Sequence, residues 1–213
     1  LEKFAACRYA HFVTYGLSLC DREEFGLESV DMGNLSHDIL EKVGEKLNEE
    51  GLDFSTAEVT VSESEVDAAI ELLTKEYNGD LLVSDEKTKY YVRQLARIMK
   101  RTVKTLGFQL SKGKYKPEMY EMKFEKMYDL AASEDGNTKR VELKGRIDRT
   151  DIYDDGSNKS YVKIIDYKSS SHKLDPKMLE EGLSLQLAIY MRSAIETIKE
   201  RYPNKDVLPA AML

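Results

Sequence analysis

Apolar positions along the chain follow two periodicities. Across residues 31–50, Leu35, Ile39, Leu40, Val43 and Leu47 recur at roughly 100° per residue, the spacing of an amphipathic helix. Val66, Ala69, Ile70, Leu73 and Tyr77 repeat it, as do Val92, Leu95, Met99, Val103 and Leu106. Helices are therefore predicted over 64–77 and 85–106, with Gly107 as the C-cap of the second. Leu183, Leu187, Met191, Ala194 and Ile198 predict a long helix over 176–201. Residues 1–20 begin as helix, with Phe4, Cys7 and Phe12 near helical spacing and Gly16 as a stop.

Between these helices the period drops to two. Over 115–130, Pro117, Met119, Glu121, Lys123 and Glu125 alternate with Glu118, Tyr120, Met122, Phe124 and Lys126, and Pro117 suits a strand's beginning. Runs over 141–151 and 161–168 are strand-like, and the 154–158 segment between them (Asp-Asp-Gly-Ser-Asn) carries hairpin-turn residues. Side chains alternate along a strand, so Val162, Ile164, Asp166 and Lys168 point the same way. Pairing of the two runs brings Asp148 alongside Asp166.

Composition narrows the class. No apolar run approaches the roughly 20 residues of a membrane-spanning helix, and no signal-peptide pattern opens the chain. The formal charge of −7 argues against a protein held on DNA by overall electrostatics, but not against local DNA contacts at an acidic metal site. Two cysteines are too few for a disulfide framework, so a cytoplasmic setting is expected. A chain opening at Leu1 and stopping in the apolar run Pro209–Leu213 reads as a piece of a longer polypeptide.

Two carboxylates and a lysine at adjacent strand ends suit a divalent cation that activates water against a phosphodiester. A salt bridge at a strand edge is the plainer reading of the same residues. His37 and Glu41, one turn apart, fall beside the apolar stripe of their helix, a position open to a solvated pair and to a functional one. Glu121 is open to pointing toward the site, with a surface acid the plainer reading; Cys7 reads as an inert core cysteine and His11 as a packing or surface residue, and His172 has no assigned role. The basic residues Arg93, Arg97, Lys100, Arg101 and Lys104 read as a solvated face, with DNA-backbone contact as the other reading. Gln186 and Tyr190 share a helix face and can reach one spot.

Taken together, these residues give a pattern that resembles the RecB-family nuclease domain of the PD-(D/E)XK superfamily, most closely the C-terminal domain of AddB-type helicase/deoxyribonuclease subunits. The matching blocks are Cys7-Arg-Tyr-Ala-His-Phe, Tyr15-Gly-Leu-Ser-Leu, Gly33-Asn-Leu-Ser-His37-Asp-Ile-Leu-Glu41, Gly145-Arg-Ile-Asp148-Arg, Ile165-Asp166-Tyr-Lys168, Gly182-Leu-Ser-Leu-Gln186-Leu-Ala-Ile-Tyr190 and Pro209-Ala. They run in family order from one end of the chain to the other, outside 51–107.

The resemblance implies an α/β fold: one nuclease domain over 1–213, a small mixed sheet flanked by helices, with 51–107 as a helical insertion and the domain's C-terminal part missing. It implies that His37, Asp148, Asp166 and the Tyr167 carbonyl hold Mg²⁺ (or Mn²⁺), that Asp148, Asp166 and Lys168 are catalytic with Lys168 positioning water, and that Gln186 and Tyr190 lie near DNA. It further implies single-stranded DNA as substrate, an AddA-like helicase–nuclease partner and a role in double-strand break repair. Cys7 matches the first of four cysteines that hold a [4Fe–4S] cluster in such proteins; the other three are absent, so no cluster is expected here. A neutral His37 as ligand implies activity falling below about pH 6.5, the ordinary imidazole pKa. Rival readings are another RecB-type nuclease such as a Cas4-like protein, a catalytically silent DNA-binding or scaffold module, and a metal-independent interaction domain.

Overall fold

A computed structural model describes residues 2–19, 29–76, 86–129, 140–167, 177, 181 and 185–213. The short helices α1 (Glu2–Ala6) and α2 (Arg8–His11) lead into a π turn, Phe12–Gly16. Three longer helices follow: α3 (Ser29–Glu49), α4 (Val59–Glu76) and α5 (Glu86–Ser111). The sheet comprises β1 (Lys116–Asp129), β2 (Arg140–Asp154), β3 (Lys159–Ile165) and β4 (Asp206–Met212), with α6 (Gln186–Arg201) between the last two strands. Strand order is β1-β2-β3-β4; the first two pairings are antiparallel and β3–β4 is parallel.

The stripes read from the sequence bury two separate apolar clusters. Leu35, Ile39, Val43 and Leu47 of α3 pack with Val66 and Leu73 of α4, Leu95, Met99 and Val103 of α5, and Tyr120 of β1. On the other side of the sheet, Met122, Phe124, Ile147, Val162 and Ile164 pack with Met191, Ala194 and Ile198 of α6. The 51–107 segment thus shares its core with α3 instead of forming a core of its own. Arg93, Arg97, Arg101 and Lys104 are exposed, while Lys100 pairs with Asp67 at 2.6 Å.

Several expectations are corrected. Gly107 lies inside α5, which continues to Ser111. A Cβ at Gly107 would stand 2.3 Å from the Phe54 carbonyl oxygen, so the glycine permits a close helix–backbone approach and does not terminate the helix. The helix predicted over 176–201 has its continuous part from Gln186. Pro209–Met212, read as an apolar end and a matching block but not as a strand, is the body of β4. Cys7 is exposed, and its sulfur accepts from the Ala10 amide at 3.5 Å as the N-cap of α2.

The sheet changes phase where β1 and β2 cross its middle. Along β1 the α6-side cluster takes Met122 and Phe124 from even positions but Met119 from an odd one; along β2 it takes Leu143 and Ile147 from odd positions but Ile152 from an even one. Strict alternation cannot do this. The break coincides with Glu121, whose φ of +45° is left-handed, a region that costs a non-glycine residue about 1–2 kcal/mol. It turns Tyr120 toward α3 and leaves Met122 facing α6.

Candidate metal centre

His37 is carried by α3 on the flank of its buried stripe, so that the ring leaves the helix toward the sheet. Its Nδ1 lies 3.4 Å from Asp148 Oδ1 and 3.5 Å from Glu121 Oε1. Its Nε2 lies 3.2 Å from the Tyr167 carbonyl oxygen. The neighbours of both ring nitrogens are oxygen acceptors, an arrangement that favours the imidazolium form in the absence of a metal. Hydrogen bonding to Asp148 and then to Glu121, opposed by burial, holds the His37 pKa up at about 10. In the metal-free protein the neutral ring expected from the sequence is therefore disfavoured at neutral pH.

The acids come from the phase break. Tyr120 pairs with Arg149 and Met122 with Ile147, which sets Glu121 opposite Asp148. Both acids are buried, at 5% and 7% exposure, on a protein whose other carboxylates mostly lie in solvent. Arg146 Nε approaches Glu121 Oε2 at 2.6 Å, but the contact lacks hydrogen-bond geometry and leaves that oxygen without a donor. Glu41, one turn along α3 from His37, has its carboxyl pKa raised, chiefly by burial and then by Glu45 and Glu121.

Asp166 and Tyr167 follow directly after β3 instead of ending it. The Asp166 amide donates to the Leu213 carbonyl at 2.8 Å, extending the parallel pairing with β4. Gln186, the first residue of α6, donates from Nε2 to Asp166 Oδ1 at 3.3 Å. The Tyr167 amide donates to Asp148 Oδ2 at 2.6 Å. Tyr190 packs edge-on against Phe124 over Gly145, where a Cβ would stand 2.5 Å from the Phe124 ring. Tyr190 and Gln186 line one groove together with Tyr15 and Lys144. Lys168 and His172 lie outside the described residues.

The arrangement brings His37, Asp148 and the Tyr167 carbonyl together, and adds Glu121. Donor atoms of His37, Glu121 and Asp148 all lie within 4.8 Å of one another, and among the described residues these three side chains form the convergent set. The Asp166 carboxylate is not among these three; it accepts from Gln186 Nε2. The sequence favours Glu121 as a surface acid over one pointing toward the site because strict alternation gives no reason to bury it. The signal that could have found it is that Met119, Met122 and Phe124 cannot share one face unless the strand changes phase near Glu121.

The donor set fits a hard divalent cation: carboxylate oxygens, a backbone carbonyl and one imidazole nitrogen, with a buried Glu121 oxygen that accepts no hydrogen bond. An iron–sulfur cluster does not fit the described residues, among which Cys7 is the one cysteine, whereas such a cluster needs four thiolates.

Residues 1–213 match the family described as the PD-(D/E)XK nuclease superfamily. The chain belongs to this superfamily. Similar curated proteins include an ATP-dependent helicase/deoxyribonuclease subunit from Lachnoclostridium phytofermentans, 36% identical over 212 residues, covering 100% of this chain and 18% of that protein. The protein of the same name from Clostridium botulinum strain Loch Maree is 35% identical over 216 residues, covering 100% and 19%. That from Alkaliphilus metalliredigens is 32% identical over 204 residues, covering 95% and 18%. The chain thus spans under a fifth of the length of these relatives. Membership of the superfamily and the four-stranded mixed sheet agree on an α/β nuclease fold. No described helix is long and apolar enough to cross a membrane.

Proposed function

We propose that this chain is the nuclease domain of a helicase–nuclease subunit, that it hydrolyses phosphodiester bonds of single-stranded DNA with Mg²⁺ (Mn²⁺ substituting), and that it acts with an AddA-like partner in double-strand break repair and recombination. The observation that carries the reading is the convergence of His37, Glu121 and Asp148 within 4.8 Å, beside the Tyr167 carbonyl, in a chain of this superfamily.

His37, Glu121, Asp148, Asp166 and the Tyr167 carbonyl would hold the cation. When bound, it would supply positive charge to the scissile phosphate and make water more acidic. The protein's own part begins with a proton: His37 gives up its Nδ1 or Nε2 hydrogen before it can act as a ligand. Glu121 and Asp148 keep the site anionic, and their burial behind α3 limits competition from bulk water. The Tyr167 amide holds one Asp148 oxygen and leaves the other toward His37. Gln186 orients Asp166. Lys168, next in sequence to Tyr167, is assigned the attacking water by its place in the superfamily motif.

The test is cleavage of end-labelled single-stranded DNA with Mg²⁺ or Mn²⁺, wild type beside Asp166→Ala, Asp148→Ala and Lys168→Ala. The reading predicts cleavage by wild type and its loss in all three. Cleavage unaffected by any of them would place the activity elsewhere.

A further inference from the structure

Beneath the candidate metal centre lies a buried ionic chain that the reaction itself does not use. Arg149, one residue after Asp148, is 3% exposed, and Asp151 is fully buried. They form a fork: Arg149 Nε donates to Asp151 Oδ1 at 2.8 Å and Nη2 to Oδ2 at 3.1 Å. Lys163, opposite Asp151 on β3, reaches the same carboxylate at 2.8 Å. One guanidinium nitrogen remains, and Nη1 donates to the Tyr167 hydroxyl at 2.9 Å.

Tyr167 is the residue whose backbone is committed at both ends to the site, its amide to Asp148 and its carbonyl facing His37. The last ladder pair of β3 is Ile165 with Arg149, so residue 167 lies past the point where pairing with β2 holds the backbone. Beyond those backbone contacts, its side chain holds it. The ring packs against the α3-side cluster, stands edge-on to the His37 ring at 5.8 Å, and has its hydroxyl on Arg149.

We propose that Arg149 is a positioning residue that acts through the Tyr167 hydroxyl. The sequence Lys163–Asp151–Arg149–Tyr167 transmits the rigidity of β2 and β3 to one peptide, and so sets the direction of the Tyr167 carbonyl and of the Asp148 carboxylate. This rests on the metal reading above. A buried Arg–Asp pair serving only stability would also satisfy its remaining nitrogen, so metal affinity at unchanged stability is the readout that separates the two roles. The planar guanidinium presents donors in fixed directions, which a lysine ammonium cannot reproduce.

The test is calorimetric Mn²⁺ binding by the purified protein, comparing wild type, Tyr167→Phe, Arg149→Lys and the double variant, with Asp148→Ala as a site control. Tyr167→Phe removes one hydroxyl and keeps the ring packing. It should retain the wild-type melting temperature to within a few degrees yet bind Mn²⁺ about tenfold more weakly, the lower end of what losing an outer-shell partner costs. Because both substitutions break one link, the double variant should bind no more weakly than the weaker single. Unchanged affinity in Tyr167→Phe, or additive losses in the double variant, would overturn the proposal while leaving the metal site intact. If Arg149→Lys does not fold, Tyr167→Phe decides alone. Wild type that binds no Mn²⁺, or binding retained in Asp148→Ala, would instead overturn the metal reading and the proposal with it.

Discussion

Glu121 and Asp148 face each other across β1 and β2 at the position where both strands exchange the side of the sheet they cover. Their pairing explains why two acids lie buried side by side: the phase break turns both inward, and the His37 imidazolium neutralises part of their charge. Replacing Glu121 by Gln keeps the shape and removes one charge. We expect Mn²⁺ affinity and DNA cleavage to fall together by roughly 10–100-fold. Calorimetry beside a cleavage assay checks this, and wild-type values in both would exclude Glu121 from the site.

The His37 proton has a pH signature. Its pKa is raised from 6.5 to about 10, so the pairing stabilises the metal-free protein in full below about pH 6.5 and loses that contribution as pH rises through about 10. Thermal melts in EDTA should fall across this window for wild type, and less steeply for His37→Gln. Mn²⁺ affinity should move the opposite way, rising with pH as the competing proton becomes easier to displace. A melting temperature independent of pH between 6.5 and 10 would contradict the imidazolium assignment.

How much of this is legible in the sequence depends on periodicity. All five stripe residues of α3 are buried, and Met191, Ala194 and Ile198 of α6 are too, because one helix face meets one core. The acid at 148 and the ring at 37 follow from motif and from the flank of a stripe. Glu121 does not, because its burial comes from a single left-handed φ that no period encodes. β4 escapes a sequence reading because a short, isolated apolar stretch has no partner until the fold supplies β3. Gly107 misleads because a capping glycine and a close-approach glycine look alike in one dimension.

Asp151 tests the buried ionic chain as structure. Asp151→Ala leaves Arg149 and Lys163 facing each other without their shared carboxylate. Breaking a buried pair by removing one partner typically costs about 3–5 kcal/mol. Urea denaturation should show a loss of this size; a change below about 1 kcal/mol would mean that water reaches the site readily.

Tyr120 and Gly44 form a steric pair. A Cβ at Gly44 would stand 2.3 Å from the Tyr120 ring, so Gly44→Ala should destabilise by about 1–3 kcal/mol as an overpacked contact. Tyr120→Phe should do the reverse or nothing, since the Tyr120 hydroxyl is buried with no hydrogen-bond partner. Chemical denaturation of both variants reads the two signs.

The phase break also acts as a check on assembly. A β1 slipped by one residue against β2 would turn Met122 and Phe124 away from α6 and set Lys123 and Glu125 against it. The same slip would take Glu121 from its place opposite Asp148. A molecule misregistered in this way therefore loses its α6-side core and its acid pair at once.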